Sequence, residues 1–234
     1  MTDVSLFVIA DTHLSFGTNK PMDIFGGWQN FEERLSDNWK RIITDDDTVV
    51  IPGDISWGMD LDESYEDFRF LHELPGRKIL MKGNHDYWWA TKTKSENFFK
   101  EKGLDSLSIL FNNAYEVGDF AVCGTRGWVQ DCCKDEDKKV LAREAGRLRM
   151  SALEARKTGK EPIAFLHYPP VDGTGEWCKE IFDVLKEMEI RRVYYGHLHG
   201  ISCNNAFNGE KDGIHMSLIS ADYLKFCPKL AEKY

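Results

Sequence analysis

Metal-ligating side chains in this sequence stand at a repeated kind of position, directly after short apolar runs. The runs at 6–10, 49–52, 79–82, 163–166 and 193–195 are followed by Asp11-Thr12-His13, Gly53-Asp54, Gly83-Asn84-His85-Asp86, His167 and Gly196-His197-Leu198-His199. These motifs contain all but two of the seven histidines. The remaining two, His72 and His215, are interpreted as structural.

Carboxylate, imidazole and amide groups are suitable ligands for Mn, Fe, Zn, Co or Ni. A two-metal hydrolytic site holds its cations roughly 3.5–4 Å apart, with a bridging anion between them and side-chain donors around them. No cysteine lies within the motifs. Each motif alone is common in proteins, but together they predict a site for two divalent metal ions of undetermined identity.

The elements that must position these residues are strands alternating with helices. Strands are predicted at 5–10, 48–52, 78–82, 108–111, 114–117, 120–125, 163–167, 192–195 and 215–220, and helices at 30–43, 63–73, 95–102, 136–157 and 177–189. Such alternation predicts an α/β fold of right-handed βαβ units with a largely parallel sheet, interrupted at 112–120 by an antiparallel turn. The carboxyl ends of parallel strands share one edge, where such folds bind ligands. We expect Gly53, Gly83 and Gly196 to turn the chain sharply off its strands there.

Composition restricts the class of protein. The chain has 234 residues, with no internal repeat or Pro/Ser-rich linker, so residues 1–234 are expected to form one domain. No apolar run is long enough to span a membrane, and the N-terminus lacks the pattern of a signal peptide. The six cysteines show no disulfide framework, which favours a cytoplasmic protein with reduced thiols; Cys132-Cys133 is read as free thiols, with redox or soft-metal chemistry as the alternative. A net charge of -9 argues against a partner that is a long nucleic acid, without excluding a nuclease.

The ordered motifs from Asp11 to His199 resemble the calcineurin-like metallophosphoesterase superfamily. The resemblance implies a sandwich of two sheets flanked by helices, in four αββα layers, with the metal site at the carboxyl ends of the strands. By position, it implies that Asp11, His13 and His199 bind one metal and that Asn84, His167 and His197 bind the other. Asp54 would bridge the two metals, and His85 would be the catalytic histidine.

The resemblance also implies a reaction. A hydroxide held between the metals would attack phosphorus, and His85 would protonate the departing oxygen or hydrogen-bond to it. The substrate would be a phosphate monoester or diester of a small molecule or nucleotide. A non-catalytic scaffold with the same fold is the alternative, and it predicts missing ligands. A binuclear amide or lactam hydrolase fits less well, because such sites usually open with a His-x-His cluster.

One segment departs from the superfamily's protein phosphatases, which carry Gly-Asp-x-x-Asp-Arg-Gly. Here the sequence after Gly53-Asp54 is Ile-Ser-Trp-Gly-Met, without the second aspartate and the arginine. The residue that orients His85 is therefore open, with Asp60 suggested by proximity alone. Asp86 is either an orienting residue or a cap, and Arg126 is either the missing phosphate-binding cation or a surface residue.

Aromatic residues crowd the same motifs: Phe16, Phe25, Trp28, Trp57, Tyr87, Trp88 and Trp89. They are interpreted mainly as packing residues for long loops, with a stacking wall for a flat substrate group as the alternative. The glycine-containing segment 15–29 is a candidate lid over the site. The charged helix at 136–157 is interpreted as having a solvated face rather than a partner-binding one.

Overall fold

Residues 4–128, 135–172 and 174–234 are described in a computed structural model of the chain. The first sheet contains β1 (Ser5–Val8), β2 (Thr48–Pro52), β3 (Arg77–Met81), β4 (Leu107–Ile109) and β11 (Lys229–Lys233), in the order β11-β1-β2-β3-β4. Strands β1 to β4 are parallel, and β11 adds to the edge in the antiparallel sense. This sheet therefore sends the carboxyl ends of four consecutive strands to one edge.

The second sheet contains β5 (Tyr115–Val117), β6 (Phe120–Thr125), β7 (Glu161–Leu166), β8 (Arg192–Tyr195), β9 (Gly209–Lys211) and β10 (Ile214–Leu218), in the order β5-β6-β7-β8-β10-β9. Its central strands β6, β7, β8 and β10 are parallel, and β5 and β9 are antiparallel edge strands. The antiparallel interruption expected at 112–120 is the β5–β6 pair.

Apolar side chains on both faces of the strands produce the layers. Leu6, Val8 and Val50 face Ile163 and Phe165 in a core between the two sheets. The alternate strand residues, which point to the opposite face, pack under helices. The helices α1 (Phe31–Ile42), α2 (Tyr65–Glu73) and α3 (Lys92–Glu101) cover the first sheet, and α4 (Asp135–Lys157) and α5 (Lys179–Glu187) cover the second. The four-layer αββα sandwich is confirmed.

The predicted elements are all present; β2, β6 and β8 have the predicted bounds, and the other elements have shifted ends. Helix α3 begins three residues earlier than expected, because the hydroxyl of Thr91 accepts the N–H of Lys94 and caps its first turn. Strand β1 ends at Val8, two residues early, because the following backbone leaves the ladder and bridges from Ala10 to Ser220. That bridge ties the carboxyl ends of the two sheets together.

Two strands and one short helix were missed. Strands β9 and β11 and the 3-10 helix Gly200–Asn205 are rich in polar residues and glycine, so they lack the apolar pattern that reveals buried elements. They pair or pack at the edges of the sheets. Strand β11 pairs with β1 at the other end of the chain, whereas β9 forms a hairpin with β10, which follows it directly.

Helix α4 packs on the second sheet through Leu141, Ala145, Leu148 and Ala152, and its opposite face is largely charged and exposed. No helix in the described parts of the chain is both long and apolar enough to cross a membrane. Within those parts, Cys123, Cys203 and Cys227 are free thiols. The pair Cys132-Cys133 lies outside the described residues.

Candidate metal centre

The candidate ligands follow the carboxyl ends of five parallel strands in the two sheets. Asp11 and His13 follow β1, Asp54 follows β2, Asn84 follows β3, His167 follows β7, and His197 and His199 follow β8. All of these strand ends lie at the same edge of the sandwich, as parallel topology requires. The structure thus brings together side chains that are up to 188 positions apart (199 minus 11).

The backbone of several of these residues is in the left-handed region. The φ angles are 60° at Asp11, 44° at His13, 50° at Asp54 and 73° at His197. This region costs a non-glycine residue roughly 1–2 kcal/mol, and such residues concentrate at functional sites. Surrounding hydrogen bonds support the conformation; for example, the N–H of Asp11 donates to the carbonyl of Gly53 at 2.9 Å and the N–H of His13 to that of Asp54 at 2.9 Å.

Asp11, His13 and His199 form the first cluster, with one ligand atom of each within 4.8 Å of the others. The Nε2 atoms of His13 and His199 are 3.3 Å apart, and His199 Nε2 is 3.5 Å from Asp11 Oδ1. Neighbouring donors in an octahedral shell of radius ~2.1 Å lie about 3 Å apart. The spacing of these three donors therefore fits a single cation.

Asp54, His167 and His197 form the second cluster by the same criterion. Asn84 belongs with them, because its Oδ1 is 2.7 Å from His167 Nε2 and 2.9 Å from His197 Nδ1. An amide oxygen and imidazole nitrogens are hard and borderline donors of the kind that Mn, Fe and Zn accept. This cluster also has the spacing of one coordination shell.

Asp54 lies between the clusters. Its Oδ2 is 3.5 Å from His167 Nε2 in the second cluster and 3.7 Å from His13 Nε2 in the first. Its other oxygen, Oδ1, accepts the N–H of His85 at 2.7 Å, which fixes the orientation of the carboxylate. A single carboxylate therefore touches both groups of ligands.

Two of the candidate ligand histidines are held by hydrogen bonds through the ring nitrogen that faces away from the cluster. His199 Nδ1 is 2.9 Å from Asp222 Oδ1, and Asp222 Oδ2 accepts the N–H of Gly200 at 2.8 Å. His167 Nδ1 is 3.2 Å from the carbonyl oxygen of Pro52. Such bonds place the proton on Nδ1 and leave Nε2 free as a ligand.

Sequence reasoning missed Asp222. It stands four residues after β10 ends, so it obeys the same rule as the motifs: a polar residue beyond the carboxyl end of a parallel strand. The predicted strand at 215–220 ran directly to Ala221-Asp222. That position was the available signal.

Burial and neighbouring carboxylates set the protonation of the candidate ligand histidines. Burial lowers the pKa of His13 and of His167 to about 3, so both rings are neutral at physiological pH and can act as ligands. Burial also lowers the pKa of His199, but the carboxylates of Asp11 and Asp222 outweigh it and raise the pKa to about 10. The first cluster thus attracts positive charge strongly.

The two buried carboxylates, Asp54 and Asp11, differ in protonation. Burial raises the pKa of Asp54 to about 9, and the charges of Asp11 and Asp86 act in the same direction. Burial acts on Asp11 as well, yet His199, His167 and His13 together hold the pKa of that carboxyl below its usual value. Two acidic groups enclosed among imidazoles fit divalent cations, which would replace protons as the compensating charge.

Glycines beside the candidate ligands allow the Asp54 and Asp11 carboxylates to lie close to the backbone of neighbouring loops. A Cβ atom at Gly83 would lie 2.1 Å from Asp54 Oδ1, and one at Gly196 would lie 2.3 Å from Asp11 Oδ2. The expected sharp turn is found at Gly53, where φ is 101°. At Gly83 and Gly196 φ is outside the left-handed region, and the structure shows a need for space beside a carboxylate at both positions.

His85 lies next to the clusters, with its ring centroid 5.8 Å from that of His13 and 4.6 Å from that of Trp57. Its Nδ1 is buried and has no hydrogen-bond partner within the described residues. Burial, followed by the charge of Lys20, lowers its pKa. Asp60 does not orient it: the Asp60 carboxylate accepts the N–H of Glu63 at 2.9 Å instead. The ring is held by packing against Trp57 and by the Asp54 bond to its backbone.

Asp86 connects the loops that carry Asp54 and Asn84. Its buried carboxylate accepts the N–H groups of Asp54, Ile55 and Gly83 at 2.9, 2.8 and 2.6 Å and the indole N–H of Trp88 at 2.9 Å. Burial raises the pKa of Asp86. Of the two roles left open for Asp86, the structure favours the orienting one.

Arg126 has partners of its own. Its guanidinium is 3.8 Å from the buried carboxylate of Glu144 and 4.6 Å from the ring centroid of Trp128. Its carbonyl accepts the N–H groups of His167 at 3.1 Å and Tyr168 at 2.9 Å. The contacts of Arg126 are therefore those of a residue that supports the His167 strand end.

The aromatic residues divide by burial. Trp28 and Trp88 are core residues, Trp57 and Trp89 are partly buried, and Phe16, Phe25 and Tyr87 are about half exposed. Packing is thus the role of the buried members. Segment 15–29 has no helix, and its Met22 and Trp28 anchor it in the core, so its role as a lid stays a prediction.

Comparison with known proteins adds to this geometry. A model of a family described as calcineurin-like phosphoesterase matches residues 4–200. No curated protein matches the chain. Solved structures that share the fold include the phosphopantetheinyl hydrolase PptH from Mycobacterium tuberculosis, TT1561 of Thermus thermophilus, and AQ665 from Aquifex aeolicus, a protein of unknown function.

Sequence identity to these structures is low. PptH is 12% identical with a TM-score of 0.54, covering 98% of this chain and 96% of its own. TT1561 is 12% identical with a TM-score of 0.56, covering 99% of each chain. AQ665 is 18% identical with a TM-score of 0.53, covering 97% and 95%. At these identities the likeness supports the fold and nothing finer.

Proposed function

Because this chain belongs to the calcineurin-like phosphoesterase family, we propose that it hydrolyses phosphate esters of small molecules or nucleotides at a centre of two divalent metals. Asp11, His13 and His199 would hold one cation, and Asn84, His167 and His197 the other. The observation that carries the proposal is the position of Asp54, whose Oδ2 is within 3.7 Å of a histidine nitrogen in each cluster. A shared carboxylate is the arrangement a bridged metal pair needs.

When bound, the two cations would supply a water of lowered pKa and positive charge for the phosphoryl oxygens. The protein's own groups have separate tasks. His13 and His167 are kept neutral by burial, and Asp222 and Pro52 hold the rings of His199 and His167 in the ligand tautomer.

His85 would transfer the proton to the departing ester oxygen. Its Nδ1 is buried, so Nε2 is the ring nitrogen available to a substrate. Burial and the charge of Lys20 lower its pKa, which makes its protonated form a stronger acid than a free imidazole. Packing against Trp57 holds the ring beside the metal ligands.

The ligand set argues for an enzyme over a non-catalytic scaffold. A scaffold derived from such a fold would be free to lose ligands, whereas here every candidate ligand and His85 lie at one edge. The negative net charge of -9 favours small anionic substrates held by bound cations over a long nucleic acid held by a basic surface.

The test is a metal-reconstitution assay. The protein would be stripped with chelator and reloaded separately with Mn, Fe, Zn, Co or Ni, and its metal content and turnover of a chromogenic monoester and diester would be measured. We expect about two metals per chain and metal-dependent turnover. Asp54→Ala is expected to lose both metal and activity.

His85→Asn separates chemistry from metal binding. We expect it to retain its metals and lose about 100-fold or more in kcat, the range of general acid catalysis. His215→Asn is the matched control, because His215 is exposed on β10 and lies outside the centre. Turnover by His85→Asn equal to that of the control would refute the role given to His85, and absence of turnover with every metal would refute the function.

A further inference from the structure

Lys20 stands on an aromatic platform beside the candidate centre. Its Nζ is 4.7 Å from the ring centroid of Trp57 and 5.8 Å from that of Tyr87. These are cation–π distances, at which an aromatic face holds an ammonium group. Lys20 belongs to segment 15–29, which connects β1 to α1 and is anchored in the core by Met22 and Trp28.

The platform joins Lys20 to the metal ligands. The Trp57 ring is stacked on His13 with centroids 5.0 Å apart and tilted against His85 at 4.6 Å. A single indole ring thus contacts a ligand histidine, the histidine proposed as proton donor and the lysine.

Lys20 is exposed, and within the described parts of the chain its ammonium contacts the two rings and is not paired with a carboxylate. Arg126, the other candidate cation, is already paired with Glu144 and stacked on Trp128. An unpaired lysine beside a centre for anionic substrates is placed to receive an anion.

We propose that Lys20 binds the phosphate group of the substrate, and that the substrate is a phosphate monoester. This inference rests on the proposed function. The lysine is a substrate-binding residue that reaches the site from segment 15–29.

The substrate class follows from charge. A terminal phosphate carries nearly two negative charges at pH 7, whereas a diester carries one. An added ammonium therefore stabilises a bound monoester more than a diester. The rings of Trp57 and Tyr87 serve as supports for this ammonium, so Trp57 is not free to stack on a flat leaving group.

The experiment compares metal-loaded wild-type protein with Lys20→Ala, Lys20→Arg and Lys40→Ala. Lys40 is an exposed lysine on α1, so its variant is the matched control for loss of one surface charge. Two quantities are measured: the Kd of inorganic phosphate by calorimetry, and kcat/KM on a chromogenic monoester and diester. Metal content is checked for every variant.

We expect Lys20→Ala to weaken phosphate binding and monoester kcat/KM by about 10- to 100-fold, the worth of one charge-assisted hydrogen bond. The loss of kcat/KM on the diester should be several-fold smaller than on the monoester. Lys20→Arg should retain most of the wild-type phosphate affinity and monoester kcat/KM. Metal content should be unchanged, because Lys20 is not a ligand.

Two results would overturn the inference. If Lys20→Ala has the same phosphate affinity and monoester kcat/KM as Lys40→Ala, Lys20 does not bind the phosphate group. If Lys20→Ala loses the same factor in kcat/KM on the monoester and on the diester, the assignment of a monoester substrate is wrong. Failure of the proposed function has a different signature: wild-type protein that turns over neither ester. The phosphate titration still tests Lys20 in that case, since it does not depend on turnover.

Discussion

Replacing Asp222 by alanine removes the carboxylate that orients His199. In the folded protein this carboxylate receives two hydrogen bonds, one from His199 Nδ1 at 2.9 Å and one from the N–H of Gly200 at 2.8 Å. Without it, the imidazole of His199 can rotate and can place its proton on Nε2, the atom that faces the first cluster. The variant should therefore bind the metal of the first cluster more weakly.

The magnitude follows from the bond that is lost. A hydrogen bond to a charged group contributes about 1.5–3 kcal/mol, and each 1.4 kcal/mol is tenfold in affinity. Losing the His199 bond should thus weaken metal binding by about 10- to 100-fold, the range found for outer partners of metal ligands. An opposing effect exists: the Asp222 charge raises the pKa of His199, so its removal reduces competition by protons. Measuring metal affinity at pH 8 and at pH 6 separates the loss of the hydrogen bond from the change in proton competition, because proton competition grows as the pH falls.

Metal affinity is measured by titrating Mn²⁺ into the chelator-stripped protein, with bound metal followed by competition against a colorimetric chelator. Asp222→Asn should show a smaller loss, because its amide oxygen can still accept the His199 proton. Asp37→Asn, on the exposed face of α1, controls for charge. Affinities of Asp222→Ala within threefold of this control for both metals would refute the reasoning that Asp222 positions His199.

Three further outcomes are expected. Gly196→Ala should lose metal from the first cluster, since its Cβ would lie 2.3 Å from Asp11 Oδ2; normal metal content by mass spectrometry would contradict this close contact. Asp86→Ala should lower the free energy of unfolding by about 3–5 kcal/mol, measured with urea in chelator, because several buried N–H groups lose their acceptor. Burial raises the pKa of Asp67 from 3.8 to about 6, so the folded state binds the proton more tightly and this group's contribution to stability declines as pH rises from about 4 to 6. Asp67→Asn, which cannot ionise, should therefore gain roughly 2 kcal/mol relative to wild type between pH 4 and pH 7, and a pH-independent difference in urea midpoints would contradict the shift.

Much of the fold was readable from the sequence because its parallel strands are buried on both faces. Strands β1, β2 and β3 consist mainly of apolar residues, and the helices between them have clear apolar faces, so local pattern was sufficient. Strands β9 and β11 were missed, since polar edge strands form only when a partner is present. Strand β11 depends on pairing with β1, which lies far away in the sequence, and β9 is a short polar strand of a hairpin with β10, so neither has the apolar pattern of a buried strand.

The candidate site was predictable to the extent that it obeys one rule, the placement of polar residues beyond the carboxyl ends of parallel strands. That rule locates Asp11, Asp54, Asn84 and His167 at one edge, and it also covers Asp222, which was overlooked. The role of Asp86 stayed open, because a carboxylate next to His85 in sequence is equally able to cap a turn.

Contacts between distant loops were decided by the tertiary structure alone. Asp54 lies between the two clusters, and Lys20 rests on Trp57, because segments from different strands and sheets converge in space. The sequence alone shows which metal-ligating side chains each loop contains. Close contacts between side chains that are far apart in the chain arise only when the strands have paired and the two sheets have packed, since pairing and packing set the relative positions of the loops.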